Sequence, residues 1–205
     1  MPLFPAFLKL EGRLILVVGG GAIATDKIPG LLEADARVRV IAPQITPQIA
    51  EWVRNLRVDW LPKPFEPADL RDAFLVIAAT SLRELNRAVF LAAETQGTLC
   101  NAVDDIDHCH FYYGSIVQRG DLQIAISTNG KSPALAQRLR KELCEQFGPE
   151  YESWLDWLGA AREVLRSQSN EPEATKRWLH LLASRPSFER FLQETASGDN
   201  AKGGE

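Results

Sequence analysis

Leu14-Ile15-Leu16-Val17-Val18-Gly19-Gly20-Gly21-Ala22-Ile23-Ala24 is the stretch on which the fold turns. Five apolar residues run without alternation into three glycines, and the chain then continues with helix-forming residues. A continuous apolar run of that length suits a strand covered on both faces, as in a parallel sheet. Gly19, Gly21 and Ala24 occupy the three key positions of a GxGxxG/A phosphate-binding turn. Gly19 permits the tight turn, Gly21 lets a pyrophosphate approach the backbone, and Ala24 lets the helix pack closely on the strand. The first-turn N–H groups and the helix dipole then favour an anion. The alternative is a glycine-rich turn that holds no ligand.

Moving outward, the same texture recurs at residues 38–41, 58–61, 75–78 and 99–101, with helical patterns between the runs. Leu82, Leu85, Val89 and Ala92 or Ala93 make one such apolar helix face. Five crossover-connected strands predict an α/β fold, with a Rossmann-like doubly wound parallel sheet over residues 1–110. Pro29 falls inside the first helix, where a missing N–H costs about 3 kcal/mol, so a late start or a kink is expected there. The second strand ends in Ala42-Pro43-Gln44, with no carboxylate for a ribose 2′-hydroxyl. Gln44 is the only polar side chain nearby, and the choice between NAD and NADP stays open. Arg37 and Arg39 are candidates for a 2′-phosphate or simply the solvated flank of the strand.

Asn101-Ala102-Val103-Asp104-Asp105 follows the fifth strand, at the carboxyl edge where open α/β sheets bind ligands. Two neighbouring carboxylates, partly shielded, can titrate upward into the range useful for proton transfer. They can equally cap the next turn. His108-Cys109-His110 puts two imidazoles on one face of an extended segment and a thiol on the other. Two ligands without a third at defined spacing point to packing rather than metal, and no metal ligand is assigned.

Beyond residue 110 the texture changes. Segments 111–118 and 122–127 flank the turn Arg119-Gly120-Asp121 and read as an antiparallel pair. Ser127-Thr128-Asn129-Gly130-Lys131-Ser132-Pro133 then leads into a helix with Ser132 as N-cap and Pro133 at its first position. Thr128, Lys131 and the backbone around Gly130 together suit a carboxylate. Arg138, Arg140 and Lys141 add a local basic patch, or a solvated face. Four helical patterns run from Pro133 to Thr195, separated by Gly148-Pro149, Asn170-Glu171-Pro172 and Arg185-Pro186. The division is then a small antiparallel and helical region at 111–147, a helical module at 148–196, and a small polar tail at 197–205 expected to lack structure.

Composition limits the function classes. The 205 residues carry 23 Lys plus Arg against 27 Asp plus Glu, a net charge of −4. That charge opposes a dedicated nucleic-acid binder. The longest apolar runs fall far short of the roughly 20 residues needed to span a bilayer. Residues 1–10 do not read as a signal peptide, so a cytoplasmic location is expected. Cys100, Cys109 and Cys144 form no CxxC pair and are expected as free thiols, mostly buried.

With FPAFLKLEGRLILVVGGGAIA, VIAP, NAVDD and AISTNGKSPALAQRLRKEL in that order, the chain resembles the precorrin-2 dehydrogenase family of sirohaem synthesis over about residues 2–147. The STNGKSP loop is its most diagnostic element. The resemblance implies NAD-dependent oxidation of precorrin-2, a tetrapyrrole, to sirohydrochlorin on a homodimer whose 111–147 regions pair between subunits. It implies cofactor contacts at Ala22, Ile23, Pro43 and Gln44, and an acid–base carboxylate at Asp104. Substrate-binding roles for Thr128, Lys131 and Ser132 carry over less specifically. Some members also insert Fe²⁺, and the motifs do not separate the two kinds. An NAD(H)-binding sensor without catalysis is the reading from a different class; it leaves the carboxylate and STNGKSP unexplained.

Overall fold

A computed structural model describes residues 3–169 and 171–202. The chain divides into two compact units, Met1–Tyr113 and Gly114–Glu205. The division falls three residues after the expected 110, because the chain beyond β5 (Leu99–Ala102) doubles back along that strand. His110 N–H donates to Cys100 O at 2.8 Å, and Asn101 Nδ2 donates to Phe111 O at 2.8 Å.

In the first unit, β1 (Leu14–Val18), β2 (Arg37–Ile41), β3 (Val58–Leu61), β4 (Leu75–Ala78) and β5 form one all-parallel sheet in the order β3-β2-β1-β4-β5. All five runs expected as strands are strands. Their continuous apolar character has the anticipated cause: alternate residues face opposite layers. Ile15, Val17, Val38, Val40, Leu75 and Ile77 pack under α1 (Ala22–Glu33) and α2 (Pro47–Arg54). Leu16, Val18, Val76 and Ala78 pack under Val89 and Ala93 of α3 (Arg83–Gln96). At about 25 cal/mol per Å² of apolar surface, burying each such side chain contributes roughly 1.5–3 kcal/mol.

Local chemistry sets the helix ends. Thr46 caps α2 by accepting from Ile49 N–H at 3.3 Å, with Pro47 in the first turn. Gly97, at φ +69°, closes α3 in the left-handed conformation. Helix α1 begins at Ala22 and runs through Pro29 to Glu33, so the late start expected from the proline does not occur. Pro29 has no N–H, so the Thr25 carbonyl lacks its i+4 donor while the helix continues to Glu33.

In the second unit, β6 (Ser115–Arg119) and β7 (Leu122–Ile126) form the antiparallel hairpin, with Gly120 at φ +52° in the turn. The first strand starts later than the expected 111, because residues up to Phe111 are engaged along β5. Among the described residues four helices follow: α4 (Pro133–Gln146), α5 (Glu150–Gln168), α6 (Pro172–Leu182) and α7 (Arg185–Lys202). Arg119 ties the hairpin to the end of α4, its Nε donating to Phe147 O at 2.8 Å and its Nη2 to Cys144 O at 3.1 Å. Tyr151, Trp154 and Phe188 form an aromatic nucleus with centroid separations of 4.5–5.6 Å. Hence the regions expected as separate at 111–147 and 148–196 share one unit. The tail expected to lack structure from 197 is helical through Lys202, since extending α7 adds one backbone hydrogen bond per residue without a new nucleus. Residues 203–205 lie outside the described residues.

Gly20 exposes a constraint that the glycine signature does not reveal. A Cβ there would sit 2.1 Å from Gln44 O, which is backbone and cannot swing aside, and Gly20 O already accepts from Thr46 N–H at 2.9 Å. Gly20→Ala is expected to destabilise the protein by about 3 kcal/mol, at the upper end of overpacking costs, read from the urea midpoint. Gly21→Ala, where a Cβ meets nothing within 4 Å, should cost only the poorer N-cap, about 1 kcal/mol or less.

Candidate functional site

The strand order reverses between β1 and β4, and the crevice outside their carboxyl ends is where open α/β sheets hold ligands. Gly19 lies in it at φ +119°, and a Cβ there would be 2.5 Å from Ala79 O, so conformation and space both demand glycine. Gly21 is the N-cap of α1 and faces open space. Ala22 and Ile23 open the helix, and their N–H groups are among the first-turn donors that no intrahelical carbonyl can satisfy. Ala24 is fully buried against the sheet, as its place in the motif requires.

Pro43 and Gln44 are exposed in the turn after β2. The turn is braced by Trp60, whose Nε1 donates to Ala42 O at 2.9 Å. Arg37 opens β2 at its amino end, and Arg39 sits mid-strand, 3.5 Å from Asp59. Neither reaches the carboxyl edge, so the two sequence candidates for a 2′-phosphate are placed elsewhere.

Sequence reasoning missed two pairs that hold this edge. Thr25 and Thr46 join hydroxyls at 2.8 Å, linking the first turn of α1 to the cap of α2. Asn86, 3% exposed, holds the loop after β4: its Oδ1 accepts from Thr80 N–H at 3.1 Å and from the Thr80 hydroxyl at 2.7 Å, and its Nδ2 donates to Thr80 O at 3.1 Å. An asparagine among the apolar residues of the buried face of α3 was the available signal.

The two neighbouring aspartates differ. Asp104 is exposed and left-handed, at φ +62°, and among the described residues its carboxylate has no hydrogen-bond partner. It projects from the edge immediately after Val103, whose N–H donates to Ala78 O at 3.0 Å. Asp105 is instead engaged: its Oδ2 lies 2.8 Å from His108 Nδ1, and this contact holds its carboxyl below the ordinary carboxylate range. The upward titration expected of the pair is therefore reversed at Asp105. A depressed folded-state pKa means stability that is present above the unfolded value, about 3.9, and lost as pH falls through the lower folded one. Carboxyl NMR titration should find Asp105 below its ordinary value in the native protein and returned to it in His108→Ala.

His108 lies in a 3₁₀ turn, Ile106–His108, rather than on an extended segment. Both imidazoles pack on Phe90 of α3, with centroids at 5.2 and 4.8 Å. His110 Nδ1 accepts from Cys100 N–H at 2.9 Å, and its Nε2 faces Glu94. Cys109 Sγ lies 3.1 Å from both Ala102 O and Asp105 O. Among the described residues no group of three potential ligands could hold a metal ion. All three cysteines are free, but only Cys100 is buried, Cys109 and Cys144 being half-buried. Burial pushes the Cys100 thiol up to about 12 and raises that of Cys109.

In the second unit, the 127–133 loop is internally tied. Thr128 Oγ1 accepts from Ser132 N–H at 3.2 Å, Thr128 O accepts from Lys131 N–H at 3.1 Å, and Ser132 Oγ caps α4 by accepting from Leu135 N–H at 3.2 Å. Asn129 and Gly130, at φ +53° and +73°, turn the chain, and Lys131 is exposed. In the basic patch on α4, Arg138 lies 3.3 Å from Glu142, while Arg140 and Lys141 are exposed.

Residues 6–115 match the family model described as putative NAD(P)-binding. The chain belongs to that family. A nicotinamide nucleotide is thus the kind of cofactor that this family is described as binding. Residues 119–146 match the model described as sirohaem biosynthesis protein central. A sirohaem synthase of Neisseria meningitidis serogroup C / serotype 2a is 39% identical over 82% of this chain, and sirohaem synthase 1 of Aeromonas salmonicida is 35% identical over 98%. This family member spans only 35% and 42% of the length of those two relatives. The solved structure of SirC, a precorrin-2 dehydrogenase, superposes with a TM-score of 0.78 at 28% identity, covering 95% of this chain and all of that one. The expected fold class, a parallel Rossmann-like sheet followed by an antiparallel and helical region, is the one observed. No helix among the described residues is long and apolar enough to cross a membrane.

Proposed function

We propose that this chain is an NAD-dependent precorrin-2 dehydrogenase, oxidising precorrin-2 to sirohydrochlorin in sirohaem synthesis. One observation carries the reading: a single sheet edge presents an open helix N-terminus at Gly21 and, among the described residues, an unpartnered carboxylate at Asp104. The likeness to SirC over nearly its whole length supports it. So does the order of the two family models along the chain.

Gly19, Gly21, Ala22, Ile23, Pro43 and Gln44 hold the dinucleotide. The backbone N–H groups of Ala22 and Ile23 meet its pyrophosphate. The absence of Lys and Arg from the 42–46 turn favours NAD over NADP, since nothing there would neutralise a 2′-phosphate. When bound, the nicotinamide accepts a hydride. Asp104 takes the proton released with that hydride, and its exposure leaves both oxygens able to receive it. Asp105, paired with His108 and kept ionised, holds the turn on which Asp104 stands. Lys131 supplies positive charge to the carboxylate-fringed substrate. Thr128 and Ser132 accept backbone N–H bonds and retain their O–H to donate to it. No residue is assigned as a metal ligand.

A spectrophotometric assay with precorrin-2 and NAD or NADP, with and without Fe²⁺, tests the reading. Turnover with NAD supports dehydrogenation, and a further change with Fe²⁺ reports its insertion. NAD binding without turnover favours the NAD(H) sensor.

A homodimer belongs to the same reading. A two-stranded sheet is marginal alone, β6 and β7 each keep an edge unpaired among the described residues, and Ile116 and Leu135 are 47% and 39% exposed. Sedimentation at micromolar concentration should give a dimer, and a clean monomer would remove it. Three free thiols suit a reducing, cytoplasmic setting, and the net negative charge suits a small-molecule substrate rather than nucleic acid or membrane.

A further inference from the structure

Helices α5 and α6 form a hairpin that does not close on itself. Between them lies a cleft of about 780 Å³, within the range of small-molecule sites. Its apolar lining includes Leu155 and Leu158 of α5 and Leu179 of α6. Toward the turn joining the two helices it is lined by Arg162, Arg166 and Lys176. All three cations are exposed, none has an ion-pair or hydrogen-bond partner among the described residues, and the cleft lining includes no aspartate or glutamate.

Three cations in one cleft without a carboxylate are not explained by the net charge of −4, and the dipole of α5 accounts only for Arg166, in its last turn. Like charges brought to one cleft repel, and an isolated helix gains nothing from Arg162 and Arg166 placed four residues apart. The arrangement complements one kind of occupant, an apolar body that carries anionic groups at one end. Leu155, Leu158 and Leu179 would cover the body, and the three cations would make charge-assisted bonds to its carboxylates, which also discharges their mutual repulsion.

We propose that the α5–α6 cleft is a binding site for a small molecule with an apolar body and carboxylate groups, separate from the dinucleotide edge. Two sources share that chemistry: a fatty acid, and a ring compound with a carboxylate fringe such as the substrate and product named above. The second source rests on the proposed function; the site itself does not.

Isothermal titration of the full chain with laurate below its micelle concentration and with coproporphyrin tests it, with dodecyltrimethylammonium as the opposite-charge control. Binding of either carboxylate and not of the cation is expected, laurate alone pointing to fatty acids and coproporphyrin to ring compounds. Arg162→Gln, Arg166→Gln and Lys176→Gln should each weaken it about tenfold at low salt, as charged hydrogen bonds do. Arg87→Gln, on an exposed face of α3, should leave it unchanged. Circular dichroism and NAD affinity are measured on each variant and should not move, so failure of the dehydrogenase assay leaves this test intact. The site is overturned if neither carboxylate binds, if the cationic amphiphile binds equally, or if affinity is insensitive to the three cleft cations. Coproporphyrin binding that is lost in Lys131→Ala and kept in the cleft variants also overturns it.

Discussion

Asp104→Asn should slow precorrin-2 oxidation by about a hundredfold to ten-thousandfold, the usual cost of losing a general base, while NAD affinity stays nearly unchanged. Two structural facts make the variant clean. Asparagine tolerates the left-handed backbone at φ +62° as well as aspartate does, and the side chain surrenders no hydrogen bond among the described residues. The loss should therefore appear in kcat, with the thermal midpoint in place. Asp105→Asn is the comparison. Its carboxylate is tied to His108, so its removal should disturb the turn and soften the acid limb of stability without abolishing turnover. Full activity in Asp104→Asn would remove the acid–base assignment, and full activity there with loss in Asp105→Asn would move it one residue along.

Gly21→Asp should weaken NAD binding by about a thousandfold while leaving the fold as stable or slightly more so. Space is not the obstacle, because a Cβ at Gly21 meets nothing within 4 Å. Aspartate is a better N-cap than glycine by a few tenths of a kcal/mol, so α1 gains. Charge is the obstacle: a carboxylate about 4 Å from a phosphate, at the effective dielectric of a protein surface, costs about 4 kcal/mol. Equilibrium binding of NAD together with the urea midpoint would show the two quantities moving in different directions. Unchanged affinity would take the loop out of the site.

The parts of the structure legible in the sequence were those that one segment specifies by itself. The run 14–18, closed by Gly19, has to be a buried strand followed by a tight turn, and the Ser132-Pro133 start of α4 is written in its own side chains. Gly20 was not legible, since its need for hydrogen in place of a side chain comes from Gln44 O, brought there only when β2 pairs with β1. The difference between Asp104 and Asp105 was hidden for a related reason. It depends on the short turn that returns His108 to Asp105, whereas period-2 reasoning puts that histidine on an extended segment. Phe111 reads as the start of the antiparallel pair, yet residues 109–111 bond back along β5 because Asn101 offers them a buried partner. In each case the deciding contact joins residues whose proximity only the folded sheet creates.

Trp60 gives this protein a built-in optical gauge. Its indole N–H is bonded to Ala42 O, one residue before Pro43, so the ring is mechanically coupled to the turn assigned to the dinucleotide. The remaining indoles of the first unit reduce to Trp52, on α2, whereas Trp154, Trp157 and Trp178 belong to the second. Replacing the three tryptophans of the second unit by phenylalanine would leave an emission spectrum dominated by the neighbourhood of β2 and α2. Coenzyme arrival could then be followed on the stopped-flow timescale without a label, and without waiting for any chemistry to occur.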